Sequence, residues 1–524
     1  MPREECCGEM MEGETFPWWS ESQIRLQEEL REFVDERIER AEKLIWQRKY
    51  PLEFLKEAGR RGWLGAIIPE EYGGKLSEYG YTGSCIIIEQ LARLGQISMQ
   101  YVVTMCDARL IMKFGSDELK REFLPKMATG EYLGSLTVTE PFVGNDAAAI
   151  ETVGRIEGDE IVIDGKKRFI TSLGVSDLYM LLVRTSDDPD LIKKHRHLSM
   201  VIVKAGTPGF TIERINELIG FDNIYNGYLD FNGVRVPRSQ MLGDVGDGWK
   251  VLMGMANYER TLASANQLGW MAEALRYAVF HTKRRVQFGS PTIDLPTNQF
   301  KLSEMIVRYK AARLLTYHAA HLFDLGEDPA FDAAIAKYFN TEEGINVFLE
   351  AIQLMGGDGL TRFYPVESYL RNGKITQLAP TTSEIMKVVI YRFGLKALEP
   401  ILKAPRRRID DELGVPVTVG FYRGKEPGDR EISEKEVLDL LAENYRVNPG
   451  IHMAIEDMIE ESGASLESLS RALEALEDKG LAITYRGRKG NIKLARATFK
   501  GIREAKPIEE YRYIPDWVDE KDLF

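Results

Sequence analysis

The chain has 524 residues, more than one ordinary domain holds, so several separate cores are expected. Its 44% apolar and 28% charged composition is that of a globular protein, and no apolar run approaches the roughly 18 residues that cross a bilayer, so no membrane insertion is expected. A net charge of −13 speaks against a broad grip on nucleic acid, which needs a concentrated basic surface.

In chain order, residues 1–19 read as a tail. Its opening MPREECCGEMMEGE is acidic and lacks the apolar core of a signal peptide, so a cytoplasmic location is expected. Cys6 and Cys7 lie in this tail, and with Cys85 and Cys106 they are too few and too irregularly spaced for a disulfide framework. The histidines show no paired spacing, and no metal site is expected.

Residues 20–131 carry helical periodicity, as in IRLQEELREFVDERIERAEKLI, where apolar residues recur at three- and four-residue intervals. From 132 to 246 short β-rich runs (YLGSLTVTE, EIVIDG, LYMLLVRT, LSMVIVKA, YLDFNGVRVP) alternate with Gly, Asp, Asn and Pro, which predicts an antiparallel β domain. Long amphipathic segments return over 247–403 and predict a helical bundle. Residues 404–431 read as a linker or small hairpin. A separate small domain is expected over 432–506, followed by a tail at 507–524.

Four segments carry candidate chemistry. In LTVTEPFVGNDAAAI, Thr137 and Thr139 alternate along a strand that ends in a polar turn. DGKKRFITSLG repeats that style with Phe169 and Thr171. Two such strand ends suit the polar edge and the face of a flat heterocycle. RRVQFG offers a guanidinium suited to a diphosphate, and QLMGGDGL offers glycines that let backbone approach a ligand closely.

Taken together, and with GWLGAIIPEEYGG, LDFNGVRVP and TTSEI, these segments resemble the acyl-CoA dehydrogenase family from about Leu26 to Lys396. The resemblance implies an α+β multidomain fold: an N-terminal helical domain, a central antiparallel β domain and a C-terminal four-helix bundle. It also implies FAD. Val138, Thr139, Phe169 and Thr171 would surround the isoalloxazine, with Thr382 alongside. Arg285, Phe288, Gln299, Gln353, Gly356 and Gly357 would hold the diphosphate and adenosine, partly from a neighbouring subunit. Asn145 replaces the usual Ser of a Gly-Ser-Asp turn and would face CoA or flavin. Asn257 and Arg260 are further candidates for substrate contact. A homo-oligomer (dimer or tetramer), an acyl-CoA substrate and an electron-transferring flavoprotein acceptor are implied as well.

Family chemistry needs a carboxylate to remove the α proton of the thioester, desolvated enough to match the activated carbon. Most relatives place this Glu in a Glu-Gly-Thr motif, where this chain has Pro380 in QLAPTTSEI. A minority carry it on an earlier helix just before an Arg, which matches Glu259-Arg260, so Glu259 is the candidate base. Proline also lacks the N–H that would bind the thioester carbonyl. The position where glutaryl-type relatives carry a carboxylate-binding Arg falls near Ser98, which disfavours a dicarboxylate substrate.

Over 432–506, three short amphipathic helices precede two β runs about a basic turn (Arg486, Arg488, Lys489), an order that resembles a winged helix. Leu466, Leu469, Leu473 and Leu476 form the expected core stripe of its third helix. Glu467, Glu474, Glu477 and Asp478 make that helix acidic, so protein contact is favoured over DNA binding. The leading functional expectation is dehydrogenation of an acyl-CoA to its 2,3-enoyl-CoA. The alternatives are reduction of an unsaturated or cyclic acyl-CoA, and a regulatory protein that binds flavin or acyl-CoA and reports through the C-terminal domain.

Overall fold

The computed structural model describes residues 15–402, 405–410, 415–421 and 428–511. Cys6 and Cys7 lie outside the described residues, as do residues 512–524 of the expected C-terminal tail. Two compact units result, Met1–Gly394 and Leu395–Phe524. Among the described residues no helix is long and apolar enough to cross a membrane, and no cluster of side chains suits a metal ion.

The first unit begins earlier than expected. Trp19, placed in the tail by the sequence, is buried and meets Tyr317 edge-on, with Phe16 packed beside it. Large aromatic area outweighs the acidic residues before it. Ser20 then caps α1 (Glu21–Asp35) through a reciprocal box with Gln23. Helices α2 (Ile38–Trp46), α3 (Leu52–Arg60), α4 (Gly80–Leu91), α5 (Ile97–Phe114) and α6 (Asp117–Ala128) complete the helical domain.

The β domain holds β1 (Gly134–Thr137), β2 (Val153–Glu157), β3 (Glu160–Thr171), β4 (Leu178–Arg184), the short helix α7 (Pro189–Lys193), β5 (Leu198–Lys204), β6 (Phe210–Ile215), β7 (Asn226–Pro237) and β8 (Met241–Leu242). Strand order is β6-β7-β3-β2-β4-β5-β8, with β1 also beside β4. The expectation of a purely antiparallel sheet is corrected here: β1 and β2 both pair with β4 in parallel. The β2–β3 hairpin lies between β1 and β4, a connection long enough to return the chain in the same direction.

The bundle consists of α8 (Gly248–Arg284), a hairpin of β9 (Val286–Gln287) and β10 (Ser290–Pro291), α9 (Pro296–Asp324), α10 (Ala330–Met355), α11 (Val366–Leu378) and α12 (Ser383–Ala397). Helix α8 is its axis, and from Thr261 to Leu275 every residue is buried. Small residues permit that density. A Cβ on Gly269 would lie 2.2 Å from the Glu89 carbonyl oxygen, so only glycine fits. The buried Arg93 inside this core is matched, 2.6 Å from Glu273 and also 2.6 Å from Asp35.

In the second unit the expected linker carries a hairpin, Pro405–Ile409 against Pro416–Phe421, while residues 404, 411–414 and 422–427 lie outside the described residues. Helices Glu434–Val447, Ile455–Ser462 and Leu466–Asp478 precede a three-stranded sheet in which Ile492–Ala497 runs between Met453–Ala454 and Ala482–Arg486. Leu469, Leu473 and Leu476 join its core as expected. Leu466 does not. It follows the Ser465 N-cap and is 51% exposed, because the first residue of the helix projects beyond the packed face.

Candidate active site

The Thr-bearing strand ends meet side by side. The Arg168 amide donates to the Thr139 carbonyl at 2.7 Å, Lys167 Nζ to the Val138 carbonyl at 3.0 Å, and the Ser135 hydroxyl to the Thr171 carbonyl at 2.7 Å. A register shift between Lys167 and Ile170 bulges β3, and Phe169 sits there at φ 57°, 47% exposed. A bulge re-aims a side chain out of its strand, here turning an aromatic ring outward beside Thr171. Asn226 braces the bend, donating to the Phe169 carbonyl at 2.9 Å and to the Thr171 hydroxyl at 3.3 Å.

Beneath these ends lies an ion pair absent from the sequence reading. Lys167 Nζ is 2.8 Å from Glu140 Oε1, with both side chains buried. The two Glu140 oxygens also accept the backbone amides of Glu151 and Thr152. Burial pulls Lys167 down to about 8, while Lys167 holds Glu140 below the usual carboxylate range in spite of its own burial. Removing either partner would leave the other charge desolvated and unpaired.

The turn after β1 reaches the loop between α11 and α12, where Asn145 Nδ2 donates to Thr382 Oγ1 at 3.3 Å. The same loop contains Pro380 and is tied to α10, since Lys337 Nζ donates to the Thr381 carbonyl at 2.7 Å and to the Gln377 carbonyl at 3.3 Å. Helix α10 packs along α8, which carries Glu259. Burial pushes the half-buried Glu259 carboxyl up to about 7, against the pull of Arg260 and Lys337. Arg260 Nη1 donates to Asn257 Oδ1 at 2.8 Å, and Asn257 Nδ2 donates to Asp328 at 2.9 Å, so these candidates form one chain of polar contacts.

Asp107 on α5 is a second carboxyl in Glu259's field, and no motif marks it. It is wholly buried against Gly134, where a Cβ would lie 2.3 Å from Asp107 Oδ2, and neither of its oxygens has a hydrogen-bond partner. Burial and then the Glu259 charge raise it well above the ordinary carboxylate range, opposed by the Ser135 amide from outside hydrogen-bonding geometry. Ser98, by contrast, hydrogen-bonds to Asn266 inside the core.

The remaining candidates cluster elsewhere. Arg285 follows α8 directly, and 26 residues at 1.5 Å each put it about 39 Å along the axis from Glu259. Phe288, 94% exposed, sits in the adjoining hairpin, and Gln299 is exposed at the start of α9. Gln353, Gly356 and Gly357 lie at that same end, because His281 near the end of α8 contacts Asp358 at 2.9 Å.

The residues fit FAD in chemistry. Gly356 has φ +61° and a Cβ at Gly356 or Gly357 would meet open space, so bare backbone is available to a ligand. The exposed Arg285 guanidinium makes no ion pair among the described residues, as a diphosphate site requires. Thr139, Thr171 and the outward Phe169 ring offer a polar edge and an apolar face.

Sequence profiles of the acyl-CoA dehydrogenase N-terminal, middle and C-terminal domains match residues 20–131, 135–234 and 246–395. An acyl-CoA dehydrogenase of Bacillus subtilis is 32% identical over 380 residues, covering 72% of this chain and 98% of that protein. The structure of butyryl-CoA dehydrogenase from Megasphaera elsdenii superposes with a TM-score of 0.70 at 30% identity, covering 73% of this chain and 100% of that one. A structure from work on the electron transferring flavoprotein of Acidaminococcus fermentans and flavin-based electron bifurcation gives the same TM-score of 0.70, at 30% identity and 73% and 100% coverage. The chain belongs to the acyl-CoA dehydrogenase family, the FAD-dependent oxidoreductases that act on a CH–CH bond of an acyl-CoA.

Proposed function

We propose that this member of the family dehydrogenates an acyl-CoA to its 2,3-enoyl-CoA with Glu259 as the base. The observation that carries the reading is the Glu259 carboxyl, raised to about 7 by burial on α8, which packs along the helix whose Lys337 holds the Pro380 loop. Near that value it is ionised often enough to accept a proton and basic enough to take one from carbon. The α C–H proton passes to Glu259 as the Cα=Cβ bond forms. FAD, when bound, supplies at N5 the acceptor for the β-hydride. Val138, Thr139, Phe169, Thr171 and Thr382 line the flavin, while Asn145, Asn257 and Arg260 orient the thioester.

Arg285, Phe288, Gln299, Gln353, Gly356 and Gly357 hold the diphosphate and adenosine of an FAD seated on a second copy of the chain. Their distance from Glu259 along α8 supports this, so the working enzyme is a homo-oligomer. An electron-transferring flavoprotein fits as the acceptor, given the Acidaminococcus neighbour.

The second unit is a winged helix used for protein contact. Its order of helices and strands supports the name. Charge supports the role. Arg486 in the wing strand pairs with Glu474 at 3.2 Å and Glu477 at 3.4 Å, so the helix that would enter a DNA groove neutralises its own wing.

The test is anaerobic bleaching of the flavin band by straight, branched and cyclic acyl-CoAs, on wild type and Glu259→Gln. Bleaching by one class, lost in the variant, supports the reading. Bound FAD that no acyl-CoA reduces would sink dehydrogenation and favour the reductase or regulatory alternative.

A further inference from the structure

We propose that Lys337 is a positioning residue of this site: its ammonium clamps the Gln377–Thr382 loop from behind and supplies the fixed positive charge for the thioester oxyanion where Pro380 offers no N–H. The inference rests on the dehydrogenase reading and goes beyond it.

The geometry is specific. Lys337 is fully buried on α10, yet its partners are two carbonyl oxygens, those of Thr381 at 2.7 Å and Gln377 at 3.3 Å. Among the described residues no carboxylate lies within 4.0 Å of its Nζ, so this is not an ordinary buried ion pair. Desolvating an ammonium is costly, and a methionine of similar length would fill the space without that cost. The ammonium is bonded to the loop on either side of Pro380, so its charge stands directly behind the peptide at which negative charge develops. In a water-poor site such a fixed charge acts over a longer range than in water and needs no reorganisation during the reaction.

The charged groups around it are few. Glu342 lies on its own helix, Arg260 and Glu259 on α8, and Glu384 on α12. Asp107 and Cys106 on α5 also stand in the field of Glu259, both raised by burial. Lys337 is one of two cations that hold the Glu259 carboxyl down. Burial brings Lys337 itself down to about 8, with Glu342 the largest opposing influence. A working site needs Glu259 ionised and Lys337 charged. The rate therefore rises with pH through about 7 and falls again through about 8.

The test compares wild type, Lys337→Met and Lys337→Arg as FAD-loaded full-length proteins. Bleaching rates would be measured against pH and acyl-CoA concentration. Lys337→Met is expected to lower kcat about 10-fold or more with little change in KM, the sign of a lost transition-state interaction. Its acid limb should move to higher pH, because Glu259 has lost a cation, and its alkaline limb should vanish. Lys337→Arg should keep most of the rate and move the alkaline limb above pH ~10, since a guanidinium stays protonated. A folded Lys337→Met with the wild-type rate and pH profile would overturn the proposal. Should the Met variant fail to load FAD, an alkaline limb still near 8 in Lys337→Arg would overturn it instead.

A probe that needs no turnover separates this inference from the reading beneath it. Acetoacetyl-CoA has an acidic α carbon, and its bound enolate is read by ultraviolet absorbance. Lys337→Met is expected to lower the enolate fraction at fixed pH, and equal fractions in the two proteins would refute the role. Enolate formation without flavin reduction by any acyl-CoA would instead refute dehydrogenation and leave Lys337 supported.

Discussion

Replacing Glu259 by Gln should weaken catalysis and strengthen the fold, both for one reason. The amide keeps the shape of the side chain but accepts no proton, so anaerobic bleaching should slow by about 10²–10⁴-fold, the contribution of a positioned general base. In the native chain burial raises the carboxyl from 4.5 to about 7. At about 1.36 kcal/mol per unit that shift costs the folded state up to about 3 kcal/mol, an upper figure because the side chain is half-buried. The sign follows from protons. The folded protein binds this proton more tightly than the unfolded chain does, so the cost is absent below pH ~4.5 and complete above ~7. Glu259→Gln should accordingly raise the thermal midpoint at pH 8 and leave it nearly unchanged at pH 4, measured by calorimetry on FAD-loaded protein. Retained bleaching would refute the base assignment, and an equal midpoint gain at both pH values would refute the desolvation argument.

Arg285→Ala removes an exposed guanidinium with no ion-pair partner among the described residues, so the fold should persist while FAD retention on gel filtration falls about 10-fold or more, read from the ratio of flavin to protein absorbance. Lys167→Met strands Glu140 without its counter-charge and should cost about 3–5 kcal/mol by calorimetry. The double variant with Glu140→Gln should lose less than the sum of the two single losses, and strict additivity would show that the pair does not act as a unit. Leu473→Ala in the C-terminal core should cost that unit about 2–5 kcal/mol and leave flavin content and bleaching unchanged. Altered bleaching in that variant would show that the second unit acts on the first.

The fold was largely legible because its signals are local. Helical periodicity in α1, short alternating runs in β3 and β7, and Gly and Pro punctuation each lie within a dozen or so neighbouring residues. Thr139, Phe169 and Thr171 could be placed at strand ends the same way, since a strand end followed by a polar turn is a contiguous pattern, while their proposed place beside a flavin came from the family resemblance. Parallel pairing of β1 with β4 was not legible, because direction in a sheet depends on the path of the intervening chain.

The state of the site belonged to the tertiary structure alone. Glu259 could be named from the family resemblance, through the Arg260 that follows it, but only burial among the surrounding helices raises its carboxyl to about 7. Asp107 reads as one acid among many until packing against Gly134 removes every partner. Lys337 reads as an ordinary helix lysine until α10 lies along α8 and turns its ammonium onto the Thr381 carbonyl. Sequence determines which charges exist. Desolvation and the field at a site are sums over groups far apart in the chain, so only the folded arrangement decides which of those charges are held, shifted or neutralised.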